Sequence, residues 1–240
     1  FIHMAIQKEH TQQERYKAFS HVFDEGTLRA VFKMSSQGLF DKLQSPIKIG
    51  KEANVFTATN GDGLICIKVY RIACNFKKMY EYMAPDPRYS GLKRNKMSII
   101  NTWAIKEYRN LLRAREKGVI VPKPIAVHKN ILAMEYIGHN EASPQLNNKA
   151  PENPEAFYEM LISNIRKLYQ DAKLIHADLS QFNILNHDEK PVLIDFSHAI
   201  DLRYPDSRSM LERDIRIVCT YFNKLGMKLD YMEEVQKVMK

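Results

Sequence analysis

Residues 176–185 read HADLSQFNIL and residues 193–197 read LIDFS, and these two stretches decide how the 240-residue chain is interpreted. They contain two carboxylates, Asp178 and Asp195, and the side-chain amide of Asn183. A site that moves a phosphoryl group needs one carboxylate close to the nucleophile and further oxygen atoms that hold Mg²⁺ against the phosphates. The three residues supply both.

Their surroundings predict a hairpin that brings them together. Apolar residues at 184–185 and at 192–194 predict two short strands, and the pair at 188–189 predicts the turn between them. Asn183 and Asp195 then lie at facing ends of the hairpin and can share a cation. The interval from Asp178 to Asn183 is that of the protein-kinase catalytic loop, in which the Asp accepts the substrate proton and the Asn holds a metal ion.

Composition is that of an ordinary globular protein, with 45% hydrophobic and 27% charged residues. No apolar run approaches the roughly 18 residues that cross a bilayer, and no signal peptide is evident, so we expect a cytoplasmic protein without a membrane partner. The three cysteines form no CxxC pair, which argues against a disulfide framework and against a zinc site. Residues 1–4 resemble an expression remnant, and no prediction rests on them.

The net charge of +8 is concentrated in one segment. Residues 71–120 hold twelve Lys or Arg against four acidic residues, which accounts for all of it. This imbalance indicates a polyanionic partner such as nucleic acid; a solvated helix face with lysines turned towards a nucleotide explains it equally well.

The N-terminal part reads as two helices followed by a small sheet. Thr11 and Glu14 form a capping box for the first helix, and a second runs from Thr27 to the neighbourhood of Gly38. From Ile47 the apolar period becomes two, and residues 60–63 predict a hairpin turn. Residues 65, 67 and 69 point to one face of the following strand, which leaves Lys68 on the other.

A kinase lysine at this position contacts the α and β phosphates and needs a glutamate from the next helix. Residues 103–117 predict that helix, capped by Asn101 or Thr102, and Glu107 is the expected partner of Lys68, with Glu116 as the alternative. Residues 125–127 and 131–135 predict another hairpin. Helices are expected from 154, from about 211 to 225 and from 230, with a loop over 139–153.

Seven motifs in this order resemble the RIO family of atypical protein kinases, most closely its first subtype. They are GKEANVF at 50–56, IKVYR at 67–71, KEYRNLLRA at 106–114, MEYIG at 134–138, HADLSQFNIL, LIDFSHA at 193–199 and LERDIR at 211–216. The resemblance implies an α+β, two-lobed protein-kinase-like fold. We expect extra N-terminal helices over 1–45, a small lobe over 46–137 with an antiparallel sheet and one main helix, a basic flexible insertion over 72–100, and a reduced, mostly helical lobe over 138–240.

The resemblance also implies ATP and Mg²⁺ or Mn²⁺ as cofactors. Catalytic roles fall to Asp178 as the base, to Lys68 and to Asp195, which can also carry a phosphoryl group, while Asn183 and Asp195 hold the metal. Asp214 is expected to anchor the catalytic loop from the interior. Nucleotide contacts are expected from Gly50, Lys51, Glu52, Ala53, Asn54, Val55, Lys68, Glu107, Met134, Glu135, Ile137 and Ser180.

The chain departs from the usual patterns in three places. The phosphate loop has one glycine, so side chains must share its contacts. Ala177 replaces the arginine of HRD, and no APE motif follows Asp195, which predicts that the peptide-docking activation segment is missing. Ser197 and His198 stand where the family usually has Gly-Gln.

Three functions remain open from the sequence. The first is a RIO-type serine/threonine kinase and ATPase that acts on protein or on itself and takes part in small ribosomal subunit maturation. The second is a small-molecule kinase of the aminoglycoside or choline type, which lacks GKEANVF and the insertion. The third is an RNA-contacting assembly factor that uses ATP as a conformational switch.

Overall fold

The first lobe is built on a five-stranded antiparallel sheet. The computed structural model describes residues 23–61 and 63–240, without the side chain of Ser45. The strands are β1 (Lys42–Ile49), β2 (Ala53–Asn60), β3 (Gly63–Tyr70), β4 (Pro124–His128) and β5 (Ile131–Glu135). Their order in the sheet is β1–β2–β3–β5–β4. Two hairpins therefore turn where the sequence predicts, after Asn60 and after His128.

Helix α1 (Glu25–Ser36) covers one face of this sheet. Asp24 caps it by accepting a hydrogen bond from the backbone N–H of Thr27 at 3.1 Å. Its buried Val31 and Met34 belong to one apolar cluster with residues of β2, β3 and β5. Because β1 begins at Lys42, the sheet starts before the boundary expected at residue 45. The first predicted N-terminal helix, with its capping box, lies outside the described residues.

Helix α3 (Lys96–Glu116) crosses the opposite face and is longer than predicted. Its N-cap is Asn95, whose side chain accepts from the N–H of Ser98 at 2.9 Å, so the expected cap at Asn101 or Thr102 is wrong. The added turns bury Ile99 and Ile100, which are fully enclosed. Burial of this apolar pair outweighs the charge of the exposed Lys96 beside it.

The segment expected to be a flexible insertion contains regular structure. It holds α2 (Phe76–Met83) and a 3₁₀ turn (Pro87–Tyr89), and its last five residues belong to α3. Met79 and Met83 of α2 pack in one apolar cluster with Trp103 of α3. The insertion over 72–100 therefore contains helices, and its flexibility stays a prediction.

The second lobe is mostly helical. It contains α4 (Pro154–Gln170), β6 (Leu174–Ile175), β7 (Ile184–His187), β8 (Lys190–Leu193), β9 (Ile200–Asp201), α5 (Ser207–Lys224) and α6 (Tyr231–Met239). Helix α5 starts four residues before the predicted position. The largest apolar cluster of the described residues joins α4, α5 and α6 to the β7–β8 hairpin. Within residues 23–61 and 63–240, no helix combines the length and apolar character needed to cross a membrane.

Candidate active site

Lys68 lies at the centre of the candidate site, between the two lobes. Its Nζ is 2.9 Å from Glu107 Oε1 on α3 and 2.9 Å from Asp195 Oδ1, which follows β8. The alternation of β3 puts Lys68 on the sheet face that α3 covers. The hydroxyl of the buried Tyr70 donates to the other oxygen of Glu107 and fixes the carboxylate.

Charge pairing determines the protonation of this cluster. Burial acts to lower the pKa of Lys68, but Asp195 and Glu107 outweigh burial and hold that pKa above its usual value. Burial likewise acts to raise the pKa of Asp195. The Lys68 ammonium and the Ser197 hydroxyl, which donates to Oδ1 at 2.7 Å, outweigh it and keep that pKa well below its usual range. Lysine and aspartate are therefore both ionised at neutral pH.

Asp178 and Asn183 are joined in the loop between β6 and β7. The side-chain amide of Asn183 donates to the backbone oxygen of Asp178 at 2.8 Å and to its Oδ2 at 3.1 Å. The backbone oxygen of Asn183 accepts from Ile194 N at 3.0 Å, which places Asn183 beside the end of β8. Partial desolvation, followed by the charge of Asp195, raises the pKa of the Asp178 carboxyl.

Two residues of the site adopt left-handed backbone conformations that side chains disfavour. Ala177 has φ +63° and Asp195 has φ +64°, and each such residue costs about 1–3 kcal/mol unless its surroundings impose it. At Ala177 the buried Asp214 does so, because its carboxylate accepts from the N–H groups of Ala177 and Leu179 at 2.7 and 3.2 Å. Arg213 donates to the oxygen of Ala177.

Helix α3 holds the backbone after Asp195. The buried Lys106 Nζ donates to the backbone oxygens of Ser197 and Ala199 at 2.6 and 2.7 Å. Asn110 donates to the oxygens of Phe196 and Ala199 at 3.0 and 2.9 Å. The helix that supplies Glu107 therefore also fixes the course of the chain beyond Asp195.

The insertion adds further hydrogen bonds to the backbone that follows Asp195. Arg88 donates to Asn110 Oδ1 at 2.7 Å and to the oxygen of Ala199 at 3.3 Å. From α2, the hydroxyl of Tyr82 donates to the oxygen of His198 at 2.7 Å. The insertion thus touches the segment that carries Asp195 as well as α3.

A cleft of about 470 Å³ opens beside Lys68, a volume typical of small-molecule sites. It brings together seven of the predicted site residues: Val55, Lys68, Met134, Glu135, Ile137, Asn183 and Asp195. The backbone N–H of Glu135 is already bonded to the oxygen of Lys123 at 2.8 Å, so this N–H is not available to a ligand. The cleft is lined by both lobes.

Residues 50–53 form a tight turn between β1 and β2. Gly50 N donates to the oxygen of Ala53 at 3.0 Å. A Cβ at position 50 would lie 2.7 Å from that oxygen, which explains why this residue is a glycine. Glu52 faces the cluster around Lys68: partial desolvation and then the charge of Asp195 raise the pKa of its carboxyl. Lys51 is exposed beside it.

One predicted nucleotide contact needs correction, and several predicted site residues do not line the cleft. Asn54 pairs with Val69 in the sheet, so its side chain is buried on the α1 face, opposite Lys68, and lines a small cavity with Asp24. A side-chain contact from Asn54 to a ligand in the cleft is therefore wrong. Ser180 does not line the cleft, and neither do residues 50–53, Glu107 and Asp178. The hydroxyl of Ser180 accepts from the N–H of Phe182 at 3.4 Å, and the contacts of these residues with a ligand stay predictions.

Several lining residues were not expected from the sequence. The cleft is also bounded by Ile47, Lys48, Cys66, Pro122, Tyr136, Ala142, Ser143, Pro144, Gln145, Asn148, Leu185 and Ile194. Residues 142–148 reach it because Gln145 bridges to Leu185 in β7. Alternation in β3 already places Cys66 on the face of Lys68, but the loop shows no comparable pattern in the sequence.

A two-lobed fold with a Lys–Glu pair on its sheet and an Asp–Asn loop facing it defines the protein-kinase-like class. The RIO domain family model matches residues 54–236. The RIO-type serine/threonine-protein kinase Rio1 of Haloferax volcanii is 38% identical over 220 residues, which cover 90% of this chain and 76% of that protein. The protein of the same name from Methanocaldococcus jannaschii is 34% identical, with 95% and 79% covered. The chain therefore belongs to the RIO family of atypical protein kinases, and within it to the Rio1 subtype.

Solved structures confirm the predicted fold. The Rio2 kinase–ADP/Mg²⁺–phosphoaspartate complex from Chaetomium thermophilum superposes with a TM-score of 0.66 at 21% identity, covering 88% of this chain and 65% of that one. The human serine/threonine-protein kinase RIO1 is 34% identical, and the match spans only 39% of its length. This chain thus corresponds to part of the longer relatives.

Proposed function

We propose that this chain is an ATP-dependent serine/threonine protein kinase of the RIO type that also hydrolyses ATP. The observation that carries the proposal is the position of Lys68, which contacts both Glu107 and Asp195 at the wall of a 470 Å³ cleft. A lysine held between two carboxylates keeps its charge and its direction, as a phosphate-binding cation must.

ATP fits the cleft in one direction. The apolar part, with Val55 and Met134, suits adenine, and the carbonyl of Glu135 can accept from its amino group. The phosphates then lie towards Lys68 and the turn at residues 50–53. The structure of a Rio2 kinase with ADP, Mg²⁺ and phosphoaspartate supports the same ligand class for this fold.

The donor set suits Mg²⁺, and Mn²⁺ by the same chemistry. Asn183 uses its amide nitrogen on Asp178, so its side-chain oxygen stays available beside the carboxylate of Asp195. Carboxylate and amide oxygens are the ligands that these hard cations take. When bound, the ion neutralises phosphate charge.

Asp178 is the proposed general base. Its raised pKa brings the carboxyl closer to neutral pH, where a base is most effective. Asn183 holds its Oδ2, which leaves Oδ1 for the hydroxyl of a serine or of water. Serine as acceptor gives protein phosphorylation, including autophosphorylation, and water gives ATP hydrolysis. Asp195 can itself accept the phosphoryl group, as the phosphoaspartate of the Rio2 complex suggests.

Two substitutions test these roles. Asp178→Asn should retain binding of ATP with Mg²⁺ and lose about 10²- to 10⁴-fold in ADP release and in phosphate incorporation. Asp195→Asn should weaken the Mg²⁺-dependent part of ATP binding as well as turnover. Radiolabelled ATP measures turnover, and calorimetry with and without Mg²⁺ measures binding.

Asp206→Asn is the matched control, since this exposed aspartate already has φ +56°, a conformation that Asn tolerates. It should behave like the unmodified protein. Turnover within tenfold of that protein in both site variants would refute the mechanism. Saturable turnover of an aminoalcohol without protein phosphorylation would favour a small-molecule kinase.

We propose further that the basic insertion contacts RNA of the pre-small ribosomal subunit, the partner that the family resemblance implies. Lys93, Arg94 and Lys96 are all exposed, which supports a contact with phosphates. Binding to ribosomal RNA should fall steeply with salt and weaken when these three residues are changed to Glu. Unchanged affinity would show that these residues of the insertion do not bind RNA.

A further inference from the structure

Two imidazoles and a carboxylate converge outside the cleft, at the turn between β7 and β8. His139 Nε2 lies 2.9 Å from Asp188 Oδ2, and His187 Nε2 lies 4.0 Å from the same oxygen. The three ligand atoms lie within 4.8 Å of one another. We propose that His139, His187 and Asp188 form a binding site for a divalent transition metal, with Zn²⁺ as the ion that this donor set fits.

The spacing is close to what such an ion requires. Zinc bonds to imidazole nitrogen and carboxylate oxygen are about 2.0–2.2 Å long, which puts neighbouring tetrahedral ligands roughly 3.3–3.5 Å apart. The two distances to Asp188 lie on either side of this value, so shifts of less than about 1 Å bring the donors onto one ion. His139 and Asp188 are exposed, so water completes the coordination. Nitrogen ligands favour Zn²⁺ over Mg²⁺.

Ser143 prepares His187 as a ligand. Its Oγ lies 2.7 Å from His187 Nδ1. When Nδ1–H donates to this hydroxyl, the lone pair of Nε2 is left free on the side of Asp188. Partners of this kind fix the tautomer and ring direction of metal-binding histidines.

The turn that carries Asp188 is rigid. Asp188 and Glu189 have φ +51° and +60°, the signs of a type I′ turn. Asn186 closes the turn from both sides: its Oδ1 accepts from Glu189 N and its amide donates to Glu189 Oε1, each at 3.0 Å. The two ligands on the hairpin therefore need little ordering when a metal binds.

His139 comes from the chain that leaves β5. That segment turns back at a bridge between Gly138 and Ala142, and Ser143 N donates to the oxygen of Ile137 at 2.9 Å. A metal ion would thus cross-link this segment to the β7–β8 hairpin. Because Ser143 also lines the cleft, occupancy would stiffen one wall of it.

The test is a calorimetric titration of the full chain with ZnCl₂ in excess Mg²⁺, which occupies sites made of oxygen donors alone. All proteins carry His3→Ala and His10→Ala, which removes two other histidines. We expect saturable binding with one Zn²⁺ per chain. His139→Ala, His187→Ala and Asp188→Asn should each weaken it at least about tenfold, and Ser143→Ala about 10- to 100-fold. His128→Ala, a partly exposed histidine at the β4–β5 turn, should leave it unchanged.

Hydrogen exchange gives a second measurement that does not depend on any activity. Zn²⁺ should slow exchange of the amides in residues 138–143 and 186–189, and Asp188→Asn should abolish the effect. Equal urea midpoints in EDTA check that the variants fold. Absence of saturable binding in the millimolar range, or affinities within threefold of the parent in both His187→Ala and Asp188→Asn, would overturn the proposal.

Discussion

The buried imidazole of His176 makes the stability of this protein depend on pH in a way that one substitution tests. The side chain is 2% exposed, and its Nε2 lies 2.9 Å from the backbone oxygen of Ile194. Burial lowers the pKa of His176 to about 4, against the opposing effects of this hydrogen bond and of Asp195. The folded protein thus keeps the ring neutral where the unfolded chain, with a pKa of about 6.5, binds a proton.

The direction of the pH dependence follows from proton uptake by the unfolded state. Because the unfolded state binds more protons between pH 6.5 and 4, the stabilising contribution of His176 is complete above about pH 6.5 and is lost as the pH falls towards 4. At about 1.36 kcal/mol per pKa unit, the whole window is worth about 3 kcal/mol. Between pH 7 and pH 5 the loss is about 2 kcal/mol.

Other buried groups change protonation over the same pH range, so the measurement must compare the parent with a variant. Burial lowers the pKa of His198 to about 4, which has the same sign as His176. Burial raises the pKa of Asp214 to about 7, so its contribution is present at low pH and is lost as the pH rises through 7. Both groups remain when His176 is replaced, so the main causes of their pKa shifts are the same in parent and variant.

Urea unfolding at pH 7 and pH 5 measures the effect on the parent and on His176→Gln. Glutamine can place an amide donor near the position of Nε2, so the bond to Ile194 can be kept. The parent should lose about 2 kcal/mol more than the variant between the two pH values. A variant that loses as much as the parent would refute the assignment of His176 as neutral and buried.

Two shorter predictions concern the turn at Gly50 and the support of Glu107. Gly50→Ala should open the turn, because the new Cβ meets the backbone oxygen of Ala53, and should weaken ATP binding by calorimetry at least about tenfold. Gly63→Ala, whose Cβ would have an ordinary 3.6 Å contact, should not; equal affinities would show that the turn does not contact phosphates. Tyr70→Phe removes the hydroxyl that donates to Glu107 and should cost about 1–3 kcal/mol in urea unfolding. A loss below about 0.5 kcal/mol would contradict that contact.

The hairpins and several helix ends could be predicted from the sequence, because the turn and capping residues lie next to the elements that they begin or end. Asn153 before Pro154 and the turn at residues 188–189 lie where expected. The start of α3 was missed because its first turn reads as part of a basic segment, and only packing against α2 shows that Ile99 and Ile100 are buried.

Two failures at the site have different causes. Asn54 shares its strand face with the buried Phe56 and Ala58, so the alternation of β2 turns its side chain away from Lys68. The family motif points to a ligand contact that this alternation contradicts. Residues 142–145 carry no periodicity, and they line the cleft only because they pair with β7. No local signal could have predicted that contact.

The contacts of the insertion have a thermodynamic consequence. Arg88 and Tyr82 join it to the backbone at 198–199, three and four residues beyond Asp195. A macromolecule that binds the insertion and shifts this backbone must change the affinity of any ligand held by Asp195. Linkage makes the effect reciprocal: if the macromolecule tightens that ligand tenfold, about 1.4 kcal/mol, the ligand tightens the macromolecule by the same factor. Turnover of the ligand would then weaken the binding of the macromolecule and promote its release.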